Sequence, residues 1–258
     1  MIYSTRSVRR FYGPAPSQFG VLTLPAGKPP YPAAVLLHGG FWHLPWGLDL
    51  MSGPAQELAG RGIAVWNLEY RRVGEPGGGW PGTLEDVLNG FDALAALPEG
   101  RLLDVTSVAV AGHSAGGQLA LWLAGERASS SGGHPAVGRV AALAAVTDLQ
   151  GAWEHGVGSD AVEALLGGPP QRHPARYRAA SPVERLPLGV PQLVVHGERD
   201  RIVPPAASSL YAQRAKSLGD DVVLRIVPRS GHMDVVNPRR PPWRPTAEWL
   251  ATPTDTVV

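Results

Sequence analysis

The pentapeptide Gly112-His113-Ser114-Ala115-Gly116 places a serine between two glycines in a G-x-S-x-G pattern. It follows an apolar run typical of a buried strand and precedes a small-residue stretch typical of a helix. A serine on so tight a turn projects its hydroxyl above the sheet, and a Cβ at either glycine would collide with backbone. We therefore predict that Ser114 is a nucleophile and that His113 points away from the site. Because the pattern alone is weakly specific, its neighbours must support it.

A serine hydroxyl needs a base to accept its proton and a carboxylate to hold that base in one tautomer. Asp200 and His232 are the candidates, because each follows an apolar run that predicts a strand. The chain order serine, aspartate, histidine is the order used when a triad stands on a parallel α/β sheet. We therefore predict a triad of Ser114, Asp200 and His232. Two nearby carboxylates are alternative orienting acids, Glu198 and Asp234.

Acyl transfer through a serine also requires N–H groups that stabilise a developing oxyanion. A glycine-containing loop after another predicted strand offers the amides of Gly40 and Phe41, and Ala115 directly follows the nucleophile. A simple Gly-Gly turn is the structural alternative for the loop. We predict an oxyanion hole formed by these three backbone amides.

Three tryptophans lie near the predicted oxyanion loop or in the segment 148–187, and they could form an aromatic substrate pocket: Trp42, Trp46 and Trp153. Simple packing is the alternative for each. The chain has no cysteine, and its eight histidines show no ligand spacing. We therefore predict no metal site and no cofactor.

Strands alternate with helices along the chain, which predicts an α/β class with a mostly parallel sheet. The predicted strands are 17–24, 33–38, 63–69, 105–112, 140–146, 191–197 and 222–227. The predicted helices are 52–61, 83–97, 115–126, 204–218 and 245–251. The loop 128–135 is rich in serine and glycine.

Residues 148–187 interrupt this alternation and are rich in Gly, Pro, Arg and His. They contain one predicted helix around 159–166, and we expect the segment to form a short lid insertion over the sheet. No domain-scale linker is present, so a single domain over 1–258 is expected. The tail 252–258 is expected to be frayed.

The charge balance, with 23 basic and 22 acidic side chains, gives a formal net charge of +1. This argues against nucleic acid as a partner. The N-terminus lacks a signal-peptide pattern, and no apolar run reaches the roughly 18 residues of a membrane span. We expect a cytoplasmic protein with a small-molecule substrate and no membrane partner. The oligomeric state stays open, a homodimer included.

From about residue 17 to 251 the chain resembles the α/β-hydrolases, which have helices on both faces of a mostly parallel sheet. The sequence His-Gly-Gly-Phe-Trp at 38–42 is similar to the H-G-G-x-W loop of kynurenine formamidases and related small acyl esterases. Glu69-Tyr70-Arg71 also resembles that branch. The resemblance implies hydrolysis of a small ester or an N-formyl arylamine.

We expect a serine hydrolase that cleaves small carboxylic esters through an acyl-enzyme on Ser114. An arylformamidase that hydrolyses N-formylkynurenine is the alternative within enzymes. A non-catalytic ligand-binding module is the alternative of another class, because fold alone does not dictate function.

Overall fold

The computed structural model describes residues 5–128 and 134–252. Its strands are β1 (Arg6–Phe11), β2 (Phe19–Leu24), β3 (Tyr31–Leu37), β4 (Ala64–Leu68), β5 (Leu103–His113), β6 (Val137–Leu143), β7 (Gln192–Gly197) and β8 (Val222–Val227). Its helices are α1 (Ser52–Gly60), α2 (Gly82–Ala96), α3 (Ala115–Arg127), α4 (Leu149–Glu154), α5 (Ala161–Leu166), α6 (Pro174–Ala180), α7 (Pro205–Ser217) and α8 (Trp243–Ala251).

The strands form one twisted sheet in the order β1-β2-β4-β3-β5-β6-β7-β8. β1 and β2 pair antiparallel, as do β2 and β4, and the remaining pairs are parallel. In the centre, Leu37 of β3 is level with Gly112 of β5, and His113 is level with Leu143 of β6. Parallel strands bring their carboxyl ends to one edge, so the loops that follow β3, β5, β7 and β8 share that edge.

Two apolar clusters cover the two faces of the sheet, because the central strands are apolar on both sides. Side chains of α2 to α7 pack in the larger cluster on the first face, and those of α1 and α8 pack in the other. Both clusters are well shielded from solvent, since Phe91 of α2 is 0% exposed and Trp243 of α8 is 1% exposed. This arrangement confirms the predicted α/β class with helices on both faces.

The predicted strands and helices are present, with their ends shifted by up to three residues. The largest shift is in β6, which was predicted over 140–146 but ends at Leu143. Ala144 has a φ of +47° and breaks the extended conformation there. The sequence did not predict β1, because its side chains are charged and mostly exposed.

The segment 148–187 is more regular than expected, with three short helices (α4, α5 and α6) where only one was predicted. Buried side chains from each of these helices, Leu149, Leu165 and Tyr177 among them, belong to the larger apolar cluster. The segment therefore packs onto the core of the domain. Its motion as a lid stays a prediction.

Two predictions on loops and ends fall partly or wholly outside the described residues. In the loop 128–135 residues 129–133 are not described, and in the tail 252–258 only Thr252 is described. No helix of the described part is long and apolar enough to cross a membrane.

Two glycines allow α3 to start directly behind β5. A Cβ on Gly112 would lie 2.0 Å from the carbonyl oxygen of Gly116, and a Cβ on Gly116 would lie 2.2 Å from that of Leu37. Both contacts are with backbone, which cannot turn aside as a flexible side chain can. The glycines of the G-x-S-x-G pattern are therefore required by packing between β3, β5 and α3.

We predict that Gly116→Ala lowers the free energy of unfolding by about 3 kcal/mol or more, because the added Cβ overlaps the backbone of β3. Gly60→Ala is the matched control, since a Cβ at this last residue of α1 meets nothing within 4 Å. The control should gain about 0.5–1 kcal/mol. Thermal or urea unfolding measures both, and equal stability of the two variants would contradict the packing argument.

Candidate active site

Ser114 occupies a strained turn between the end of β5 and the start of α3. Its φ of +55° and ψ of −118° lie outside the regions that a serine normally adopts. Backbone contacts hold it there, with the Ser114 N–H donating to Leu143 O at 2.8 Å. Such strain costs on the order of 1–3 kcal/mol and persists only where the surroundings enforce it. The serine is 3% exposed, at the carboxyl edge of the sheet.

Asp200 and His232 come together as the sequence predicts, although β7 and β8 separate them in the chain. Asp200 Oδ2 lies 2.6 Å from His232 Nδ1. The other carboxylate oxygen accepts the N–H groups of Ile202 and Val203 at 2.8 and 3.0 Å. These bonds fix the carboxylate, so that it can orient the imidazole with Nδ1 protonated.

The alternative orienting acids are engaged elsewhere. Glu198 accepts the N–H of Arg229 at 2.9 Å, and Asp234 accepts the N–H of Gly231 at 2.8 Å. Both therefore support the loop that carries His232, whereas Asp200 contacts its imidazole.

A second histidine, which the sequence reasoning missed, also contacts the aspartate. His196 is fully buried, and its Nε2 lies 3.1 Å from Asp200 Oδ2 and 3.0 Å from Val203 O. Because a carbonyl oxygen only accepts, Nε2 carries a proton, and Nδ1 is hydrogen-bonded to the Ser208 hydroxyl at 2.7 Å. A histidine near the end of a strand has no distinctive spacing, so only the fold reveals this role.

The two histidines decide the charge state of Asp200. Burial by itself raises the pKa of a carboxyl group, but hydrogen bonds from His196 and His232 outweigh it here. They hold the pKa of Asp200 well below its ordinary value. The carboxylate is therefore ionised throughout the range in which a histidine changes charge.

His113 does not point away from the site, contrary to the prediction. Its Nε2 lies 3.0 Å from His232 O, and the two rings are 4.5 Å apart. Burial, and secondarily repulsion from His232, lowers the pKa of His113 to about 3. His113 is thus a neutral donor to the backbone of His232, and it ties the loop after β8 to the residue that precedes Ser114.

The predicted oxyanion loop lies directly against the serine. A Cβ on Gly39 would be 3.1 Å from Ser114 Cβ. Beyond it the backbone turns through three successive positive φ values, +109° at Gly40, +56° at Phe41 and +60° at Trp42. Within the described residues, the amides of Gly40 and Phe41 donate to no other group. Ala115 is the first residue of α3, where an amide has no acceptor within its helix.

A buried polar network supports this loop from below. His38 Nε2 lies 2.7 Å from Glu69 Oε1, and Tyr70 stacks on the His38 ring at 4.3 Å while donating to His38 O. Arg72 donates to Trp46 O at 2.6 Å. Burial alone would raise the pKa of Glu69, but the hydrogen bond from His38 and the charge of Arg72 lower it. An ionised Glu69 therefore anchors both ends of the loop.

The three tryptophans have different environments. Trp42 is 1% exposed, and its indole donates to Gln118 Oε1 at 2.9 Å, so its side chain is part of the core. Trp46 is 48% exposed beside Gly40. Trp153 is half-buried and donates to Glu163 at 2.5 Å. Of the three, Trp46 remains the candidate for direct contact with a ligand.

In the described part of the chain, no group of His, Asp and Glu side chains is arranged to hold a metal ion. The histidine–aspartate pair lies close to the turn that carries Ser114, because the His232 ring is 4.5 Å from that of His113, the residue before the serine.

The low pKa of His113 predicts a pH dependence of stability. The unfolded chain protonates this histidine near its ordinary pKa of 6.5, whereas the folded protein keeps it neutral down to about pH 3. Since the unfolded state binds more protons between these values, stability is fully present above pH 6.5 and falls as the pH decreases, by up to about 1.4 kcal/mol per pH unit. Urea unfolding of wild type and His113→Gln between pH 7.5 and 4 measures this, and identical slopes would refute it.

Comparison with known proteins identifies one matching family and several esterases to which the chain is similar. The family model BD-FAE matches residues 21–214, more than half of the chain. Esterase LipC of Mycobacterium tuberculosis is 28% identical over 242 residues, which is 87% of this chain and 59% of that protein. The chain thus spans 59% of the length of this curated relative.

Solved structures of esterases share the fold. A truncated carbohydrate esterase from gut microbiota superimposes with a TM-score of 0.83 at 19% identity, covering 96% of this chain and 95% of its own. Esterase B from Lactobacillus rhamnosis gives a TM-score of 0.76 at 20% identity, covering 96% and 86%. These likenesses and the topology show an α/β-hydrolase fold. On the extent of the family match, the chain belongs to the BD-FAE family.

Proposed function

We propose that the chain is a serine hydrolase that cleaves small carboxylic esters, with Ser114 as nucleophile, His232 as base and Asp200 as the orienting acid. The observation that carries this proposal is the 2.6 Å contact between Asp200 and His232 beside a serine held at positive φ. The free amides of the adjacent loop and the esterase relatives support it.

The proposed cycle begins when His232 Nε2 accepts the proton of the Ser114 hydroxyl as Oγ attacks the ester carbonyl carbon. The amides of Gly40, Phe41 and Ala115 stabilise the oxyanion, and ionised Asp200 stabilises the imidazolium. Collapse breaks the bond to the alcohol oxygen, which takes the proton from His232. Water, activated by the same histidine, then releases the acid and restores the serine.

His196 gives the ionised aspartate a second hydrogen-bond partner besides His232. Without His196, the buried charge of Asp200 would have only His232 as a hydrogen-bonded side-chain partner. Burial of an uncompensated charge is costly. The hydrogen bond from His196 reduces that cost before a substrate binds. The acid is thus ready for the imidazolium when it forms.

Hydrolysis of an N-formyl arylamine is the alternative to ester hydrolysis, because it proceeds by the same acyl transfer to a serine. The loop at 38–42 carries that resemblance, and the ratio of kcat/KM for N-formylkynurenine and p-nitrophenyl acetate distinguishes the two. A ratio well below one favours the ester, and a ratio well above one favours the formamide.

Removal of the nucleophile tests the proposal. Ser114→Ala should abolish turnover across short p-nitrophenyl esters, acetylated sugars, feruloyl esters and N-formylkynurenine, because no acyl-enzyme can form. A fluorophosphonate probe should label wild type at Ser114 and leave the variant unlabelled, and the Tm should stay within a few degrees. Turnover retained by the variant would refute the assignment. Failure of wild type to be labelled would favour a non-catalytic binding module.

Loss of the orienting charge is a second test. Asp200→Asn should lower kcat by about 10⁴-fold, because an amide favours the wrong tautomer of His232. Glu198→Gln is the matched control in the same loop and should leave kcat close to wild type, since Glu198 supports only the Arg229 amide. If kcat fell more in Glu198→Gln than in Asp200→Asn, Glu198 and not Asp200 would be the orienting acid.

A further inference from the structure

The carbonyl oxygen of Gly39, in the candidate oxyanion loop, is held by the side chain of the preceding residue. His38 Nδ1 lies 2.7 Å from Gly39 O. Because a carbonyl oxygen only accepts, Nδ1 carries a proton and donates it to this bond. The ring is fully buried, and its other nitrogen, Nε2, faces the ionised carboxylate of Glu69. One buried imidazole therefore joins the loop backbone to a buried carboxylate.

The bond to Gly39 O determines the direction of the next amide. The peptide between Gly39 and Gly40 is trans, since every cis bond of the described residues precedes a proline. In a trans peptide the C=O and N–H groups point in opposite directions. With the carbonyl oxygen directed to His38, the Gly40 N–H is directed away from the buried ring. It has no acceptor among residues 5–128 and 134–252.

Glycine on both sides of this peptide makes its orientation depend on the hydrogen bond. Neither Gly39 nor Gly40 has a Cβ that would hinder rotation of the peptide plane between them. A rotated peptide would present Gly39 O in place of the Gly40 N–H. This part of the loop lies against the nucleophile, since a Cβ on Gly39 would be 3.1 Å from Ser114 Cβ. A carbonyl oxygen would repel an oxyanion that an N–H group would stabilise.

We propose that His38 is a positioning residue of the active site, whose hydrogen bond to Gly39 O keeps the Gly40 N–H turned outward as an oxyanion donor. Glu69 holds the imidazole in place through Nε2. The preceding carbonyl, His38 O, is held in a similar way by the Tyr70 hydroxyl at 2.8 Å. This inference rests on the proposed function and adds to it the side chain that prepares the oxyanion hole. In this role His38 acts through the loop backbone and not on the substrate.

Two substitutions separate the two hydrogen bonds of the His38 ring. Counted from Cβ, the amide nitrogen of asparagine takes the place of Nδ1, and that of glutamine takes the place of Nε2. His38→Asn therefore keeps a donor for Gly39 O, and His38→Gln keeps a donor for Glu69. Both variants replace the imidazole by a neutral amide, so loss of the ring cannot explain a difference between them.

Initial rates with p-nitrophenyl acetate measure kcat and KM, and thermal unfolding measures Tm. His38→Gln should lower kcat by about tenfold to a hundredfold with KM within about twofold, because loss of one oxyanion donor costs up to about 10²–10³ in kcat. His38→Asn should restore kcat to about tenfold or more above that of His38→Gln. Its Tm should be the lower of the two, because the buried Glu69 carboxylate loses the His38 donor. Activity and stability should thus rank the two variants in opposite order.

Two outcomes would overturn the proposal. If the less stable variant is also the less active, His38 only maintains the fold. If the two variants have equal kcat, the bond to Gly39 O does not orient the donor. Should only one variant fold, it is compared with wild type, and a loss in kcat above about tenfold in His38→Asn, or below about tenfold in His38→Gln, would refute the proposal. If wild type hydrolyses none of the substrates named above, the proposed function itself fails, which is decided before any variant is made.

Discussion

The close approach of β3, β5 and α3 is the constraint on which the candidate site depends. Backbone oxygens of Leu37 and Gly116 occupy the space that a Cβ at Gly116 or Gly112 would need. This contact leaves Ser114 in a positive-φ turn that a serine would not adopt on its own. The strain is enforced by backbone packing, so the orientation of the serine is decided by the core. The remaining site residues are therefore arranged around a serine of fixed orientation.

Buried hydrogen bonds, rather than apolar packing, hold the other site residues in place near Ser114. Asp200 is held by two backbone N–H groups and by two histidines, and Glu69 is held by His38 and Arg72. Each carboxylate keeps its charge because its partners compensate for burial. Networks in which every polar group is hydrogen-bonded specify one geometry. Loss of a partner from either network would leave a buried charge less compensated and destabilise the fold. The loop after β3 and the loop after β7 are therefore both held by hydrogen bonds to a buried carboxylate.

The sequence predicts the parts of this architecture that local pattern encodes. The flanking glycines predict Ser114 as a site residue, and the apolar strands that end shortly before Asp200 and His232 predict those two. Contacts between distant segments could not be read in this way, because His113 and His196 act through neighbours that only the sheet brings close. β1 was missed because it is charged and exposed. Two helices of 148–187, α4 and α6, were missed because each is only six or seven residues long and depends on the core for its stability.

An apolar cavity of about 340 Å³ lies between α4 and α7, and the larger apolar cluster contributes lining side chains to it, among them Val146, Ala152, Val157 and Val203. A mutation at Val146 or Val203 would therefore disturb the hydrophobic core. Leu210 and Arg214 differ, because they are exposed at the rim and contribute little to that core. Substitutions on the outer turns of α7 are therefore less costly to stability than substitutions at the inner wall.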